Sequence, residues 1–103
     1  RLLTAREALR MATRGSAAVL GRDDVGSLEP GKAADFIAIS LDRLEYAGAL
    51  HDPVAAVLFV APTGVDESYV HGRPVVRGGD LVGVDLPQLI AKHNTAAARL
   101  LAG

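Results

Sequence analysis

Cysteine and tryptophan are absent from this 103-residue chain, aromatic residues make up 4% of it, and methionine occurs once. Without cysteine there is no disulfide, no thiolate metal site and no thiol nucleophile. The absence fits a reducing compartment, and the cytoplasm is the expected location. Charge of one sign is not in surplus either: 11 Lys and Arg stand against 12 Asp and Glu. With no basic excess to neutralise phosphates or anionic headgroups, neither nucleic acid nor a membrane is an expected partner. No apolar run approaches the roughly 20 residues of a membrane span. The length allows one domain, able to bury about 65% of its unfolded surface, but falls short of the ~250 residues of a complete (β/α)8 barrel.

Half of the residues are hydrophobic, and their spacing marks the elements. The chain runs from Arg1 almost at once into a helix signal, as expected of a piece of something longer. Thr4-Ala5-Arg6-Glu7 reads as a capping box, the Thr hydroxyl accepting from the Glu7 N–H while the carboxylate reaches back to the Thr4 N–H. Leu9, Ala12, Ser16, Val19 and Leu20 then form one narrow apolar stripe. Gly15 weakens this helix by about 1 kcal/mol relative to Ala. It therefore predicts either a tight helix contact or a break around Thr13 to Ser16, with Gly21 as the C-cap.

Pro30-Gly31 predicts a type II turn, Pro presetting φ and Gly accepting the positive φ of the next position. Asp35 to Ser40 reads as a short strand apolar on both faces, which calls for cover on both sides. Leu41 to Leu50 reads as loop. Asp52-Pro53 is a helix start, Asp as N-cap and Pro in the first turn. The run Val54 to Ala61 suits a helix or a buried strand, with helix preferred, and Pro62-Thr63-Gly64 ends it. Val65 to Val70 and Arg73 to Arg77 are strands flanking a two-residue turn at His71-Gly72. Pro74 makes the second an edge or delays its start. Gly78-Gly79-Asp80 turns into Leu81 to Val84. Asp85 caps a last helix with Leu86, Leu89, Ile90, His93, Ala97, Leu100 and Leu101 as its stripe, stopped by Gly103.

The residues that carry chemistry are scattered. None of His51, His71 and His93 has another His two to four residues away, so no local metal-ligand pair exists. His51 beside Asp52 is a candidate general base, with packing over the helix N-cap as the plainer reading. His71 suits a turn, and His93 a core or boundary position. Gly15-Ser16-Ala17 lacks the Gly-x-Ser-x-Gly nucleophile pattern. The glycines at 26 and 31, and at 78 and 79, match no phosphate loop. Asp23, Asp24 and Glu29 read as solvated loop carboxylates, and Asp66-Glu67 as an exposed strand face. No catalytic residue and no metal ligand is assigned, and substrate-binding residues are unknown.

Several segments nevertheless resemble one family. Thr4-x-x-Glu7-Ala8-Leu9-x-Met11-Ala12-Thr13-x-Gly15-Ser16-Ala17, with Leu20-Gly21, is followed by Gly26-Ser27-Leu28-Glu29-Pro30-Gly31-Lys32-x-Ala34-Asp35-Phe36. Together these are similar to the C-terminal part of metal-dependent amidohydrolases. The stretches Ala47-Gly48-Ala49-x-His51-Asp52-Pro53-Val54-Ala55-Ala56, Val65-Asp66 and Gly72-Arg73-x-Val75-Val76 narrow the resemblance. With Val84-Asp85-Leu86-Pro87 and Lys92-His93-Asn94, they point to the 8-oxoguanine deaminase and hydroxydechloroatrazine ethylaminohydrolase subgroup. His71-Gly72 departs from the Asn-Gly common there, and either pair suits the turn.

The resemblance implies an α+β fragment. Residues 1–22 would be the last helical part of a (β/α)8 barrel. Residues 23–85 would be the C-terminal half of a small β-sandwich with one inserted helix, and 86–103 a terminal helix. The intact parent would hold a divalent metal, zinc or iron, that activates water against a ring carbon of a purine- or triazine-like heterocycle, releasing ammonia or an amine. Its ligands would precede Thr4, so none carries over to this chain, which would be inactive by itself and bind no metal. Asp35 would cap its loop through Lys32 or backbone N–H groups. The missing N-terminal portion would be the main partner; without it Phe36, Ile37, Ile39, Val75 and Val76 would lack part of their cover, and such uncovered apolar edges predict homo-oligomers. A stand-alone α+β interaction or dimerisation module is the alternative, and a hydrolase acting through His51 and Asp52 a third, weaker reading.

Overall fold

A computed structural model describes residues 2–60 and 64–103 of the chain. Thr4 caps helix α1 (Ala5–Arg10) through the expected capping box: its hydroxyl accepts from the Glu7 N–H at 3.1 Å, and Glu7 accepts from the Thr4 N–H at 2.9 Å. The helix then widens into a π turn (Met11–Gly15) and resumes as α2 (Ser16–Val19). Gly21, at φ +69°, and Arg22 donate to the carbonyls of Ala18 and Ala17, the paired bonds of a Schellman cap.

The π turn corrects two expectations. Gly15 neither breaks the helix nor allows a close contact, since a Cβ there would meet nothing nearer than 3.7 Å. The stripe is also displaced by one residue beyond Leu9. Ala12, Ser16, Val19 and Leu20 are exposed, and Ala17 is the residue buried. The close approach occurs at Gly26 instead. Its φ is +95°, and a Cβ there would lie 2.9 Å from the Ala17 Cβ and 3.2 Å from the Arg14 Cα.

Glu29-Pro30-Gly31-Lys32 is the expected type II turn, closed by the Lys32 N–H on the Glu29 carbonyl with Gly31 at φ +89°. Strand β1 is shorter than the sequence suggests, Phe36–Ala38, and it lacks two-sided cover, as expected of a fragment: Ile37 is 58% exposed. The expected loop contains a 3₁₀ turn (Leu44–Tyr46) that buries Tyr46 to 1% exposure. Helix α3 (Pro53–Val60) starts as predicted, Asp52 accepting from the Ala55 N–H at 3.1 Å. It buries Ala56 and packs against α1 and the 3₁₀ turn. The expected break at Pro62-Thr63 lies outside the described residues.

Strands β2 (Glu67–Val70), β3 (Arg73–Arg77) and β4 (Asp80–Leu81) complete an antiparallel sheet in the order β1-β2-β3-β4. His71 and Gly72, both at positive φ, make the two-residue turn between β2 and β3. β3 is an inner strand, yet β4 reaches only Val76 and Arg77, so Pro74 faces no strand on that side. The β2–β3 register shifts there and leaves Val75 unmatched. The Gly78-Gly79 pair is itself the next turn, and Asp80 already belongs to β4. The predicted strand Leu81 to Val84 ends at Leu81.

Asp85 caps α4 (Leu86–Ala102), accepting from the Gln88 N–H at 3.1 Å. Every residue of α4 is exposed, including its stripe, with Leu100 at 83% and Leu101 at 88%. The expectation of a core or boundary His93 is therefore corrected, because among the described residues no other helix or strand packs substantially on this helix. The buried apolar core among the described residues is Ala17, Tyr46 and Ala56.

Candidate functional site

Four polar ties hold the loops around the sheet. Asp35 Oδ1 accepts from the backbone N–H of His71 at 2.7 Å and so fastens the entry of β1 to the β2–β3 turn. This bears out a backbone-capping role for Asp35. Lys32 is not its partner, because Lys32 binds Ser27 at 2.9 Å and Glu29 at 3.1 Å within its own turn. Arg22 forms a two-pronged pair with Asp24 at 2.9 and 2.8 Å. Asp66 accepts from the Ser40 N–H at 2.6 Å and from Arg43.

Two of these carboxylates titrate below their ordinary range. Asp24 does so chiefly because it accepts hydrogen bonds from Arg22. Glu29 does so chiefly through the Ser27 hydroxyl, then through Lys32. Both were expected to be solvated; their side chains are about half accessible, and both are also paired. Asp66-Glu67 also departs from expectation. Asp66 lies before β2, and Glu67 Oε1 accepts from the Gly78 N–H while its Oε2 is buried without a partner. The Tyr46 hydroxyl is likewise buried without a partner among the described residues.

These side chains do not converge on a reaction centre. His51, His71 and His93 are each exposed in a different element. Asp52, next to His51 in the chain, spends its Oδ1 on the α3 cap. Among the described residues no three His, Asp or Glu side chains are grouped as a metal site would need. Among the described residues the open, mainly apolar clefts include two that border the first helical segment. One, of about 600 Å³, lies between Leu9 and Thr13 on the helical side and the stacked rings of Phe36 and Tyr69, 4.8 Å apart, on the sheet. The other, of about 640 Å³, runs along the outer face past Leu2, Leu3 and Met11. Neither combines a nucleophile, a base and a donor for developing charge. No helix among the described residues is long and apolar enough to cross a membrane.

Residues 1–76 match the model of the Amidohydrolase family. The chain belongs to the amidohydrolase family. It is 46% identical over 101 residues to the 8-oxoguanine deaminase of Pseudomonas aeruginosa, covering 98% of this chain and 22% of that protein. It is 42% identical over 96 residues to the hydroxydechloroatrazine ethylaminohydrolase of Pseudomonas sp. strain ADP, covering 92% and 20%. Among solved structures, an adenosine deaminase from Xanthomonas campestris with bound zinc superposes with a TM-score of 0.83 at 30% identity, covering 98% of this chain and 23% of that one. This amidohydrolase chain thus spans about a fifth of the length of the curated relatives it matches. Its mixed helix and strand is the fold of a portion of such enzymes. The comparisons do not support a stand-alone interaction module.

The polar ties were largely hidden in the sequence. Asp35 and His71 are 36 residues apart, and Asp66 and Arg43 are 23 apart, so no local spacing announces either pair. The Tyr46 burial had one available signal, a lone aromatic within a segment otherwise read as loop.

Proposed function

We propose that this chain is the C-terminal region of a metal-dependent amidohydrolase that hydrolyses a C–N bond of a purine- or triazine-like ring. In that reading residues 1–22 close the barrel, 23–85 form half of a small β-sandwich and 86–103 a terminal helix. The observation that carries it is the 46% identity over nearly the whole chain to a deaminase of which the match is only 22%.

The surface supports the same reading. A compact monomer of this mass exposes about 5,500 Å², whereas this chain exposes 8150 Å². The surplus, roughly 2,600 Å² by the same scaling, exceeds the ~800 Å² that one partner commonly contributes to a stable interface. The radius of gyration is 17.7 Å, against about 13 Å for a compact chain of this length. A surface of this kind calls for cover, and the remaining four-fifths of an amidohydrolase would supply it.

The parent would use a divalent metal, zinc or iron, in the cytoplasm. The described residues do not fit such a site, so hydrolysis is assigned to residues beyond this segment and no step to His51 or Asp52. The chain's own work is structural: it ties its loops through Asp35, Asp66 and Gly26 and presents two apolar faces, the outer side of the first helical segment with Leu3 and Met11 and the α4 stripe with Leu89 and Ile90. By itself it is expected to associate through those faces.

A chimera tests this. Replacing the matching 101 residues of the Pseudomonas aeruginosa deaminase with this chain should retain deamination of 8-oxoguanine and metal content. The 103 residues alone should show neither. Turnover by the isolated chain, or a chimera that folds but loses its metal, would overturn the proposal.

A further inference from the structure

The first helical segment carries two rows of residues spaced by four, a spacing that in a regular α-helix drifts steadily off one side. On the inner side Leu9 and Thr13 line the cleft against the sheet, and Ala17 is buried beneath Gly26. On the outer side Glu7, Met11, Gly15 and Val19 follow one another along the exposed grooves, which Arg10, Arg14, Ser16 and Leu20 also line. At 3.6 residues per turn each step of four winds on by about 40°, so Glu7 to Val19 would wind through about 120°. A π turn, closing from i to i+5, takes in one residue more than an α turn. That absorbs the ~100° the residue would otherwise add.

We infer that the π turn Met11–Gly15 houses one inserted residue, which keeps Ala17 under Gly26 and the Met11–Gly15–Val19 row outward in an otherwise regular helix. The displaced stripe agrees: Ala17 is buried where unbroken α periodicity would instead bring Ser16 to the side of Leu9. The local bonds agree as well. The Ser16 N–H reaches back to the Met11 carbonyl, and two hydroxyls serve carbonyls of the altered ladder, Thr13 to Leu9 at 2.8 Å and Ser16 to Met11 at 3.3 Å. The inference rests on this geometry alone and stands or falls independently of the catalytic reading.

The test is a pair of length variants of the full chain, each with and without Gly26→Ala. Deleting the exposed Ala12 should convert the π turn to α and hold the unfolding midpoint within ~3 °C, whereas inserting one Ala after Ala12 should lower it by more than ~5 °C. Gly26→Ala should cost the deletion variant as much as the parent, because Ala17 still sits beneath it. A deletion variant that is unfolded or as damaged as the insertion variant would overturn the inference. So would a deletion variant in which Gly26→Ala has become harmless.

Discussion

The helical segment at the start of the chain and α4 at its end are built by similar local rules and meet opposite fates. Both start from a side-chain cap, Thr4 in one and Asp85 in the other, and both carry an apolar stripe. The first is gripped by the Gly26 loop and by α3, and buries Ala17. The second, although longer and more regular, buries nothing. Amphipathic spacing therefore specifies which face of a helix seeks cover but not what covers it. A cap secures a helix end whether or not the helix has a partner.

The sharpest way to break this contrast is Gly26→Ala. The new Cβ would be caught between Ala17 and the Arg14 backbone at a left-handed φ, with no flexible group to yield. A loss of about 2–4 kcal/mol is expected by denaturant titration; a loss under about 1 would mean the loop is not seated on the helix. Cap removal comes next. Thr4→Ala should cost about 1 kcal/mol of cooperative stability, while Asp85→Ala should lower helicity by circular dichroism and leave the cooperative midpoint in place. Equal midpoint shifts would show that α4 is coupled to the rest after all.

Tyr46→Phe should be neutral or stabilising by up to about 1 kcal/mol in the isolated chain, since it removes a buried hydroxyl without a partner. If it destabilises a longer polypeptide instead, that hydroxyl has found a partner there. The pH response should be smaller. Asp24 and Glu29 are held below their ordinary titration range. Their contribution is thus complete above the usual carboxylate values near pH 4 and disappears as pH falls through the lowered ones. The midpoint should stay flat from neutrality to about pH 5 and decline below about pH 4, with the decline reduced in Asp24→Asn. Because both groups are exposed, added salt should also shrink it. The smallest effect on stability belongs to α4: Leu89→Lys with Ile90→Lys should shift the midpoint by less than about 0.5 kcal/mol. The same pair should markedly reduce self-association in sedimentation velocity, and an unchanged sedimentation profile would clear α4 of that role.

The sequence by itself determined the local punctuation. The Thr4–Glu7 box, the Gly21 cap, the Pro30-Gly31 turn, the His71-Gly72 hairpin and the Asp52 and Asp85 caps all stand as their residues predict. Each depends on neighbours within a few positions, so the chain's own chemistry suffices. The family, too, was legible in contiguous segments, and the comparisons bear it out. Tertiary structure alone decided the one-residue displacement at Met11–Gly15, the burial of Tyr46, the exposure of His93, and the Asp35–His71 and Asp66–Arg43 ties. Those depend on surfaces brought together from distant parts of the chain. Periodicity encodes a direction for a side chain, whereas burial needs an opposing surface, and no local spacing names that surface.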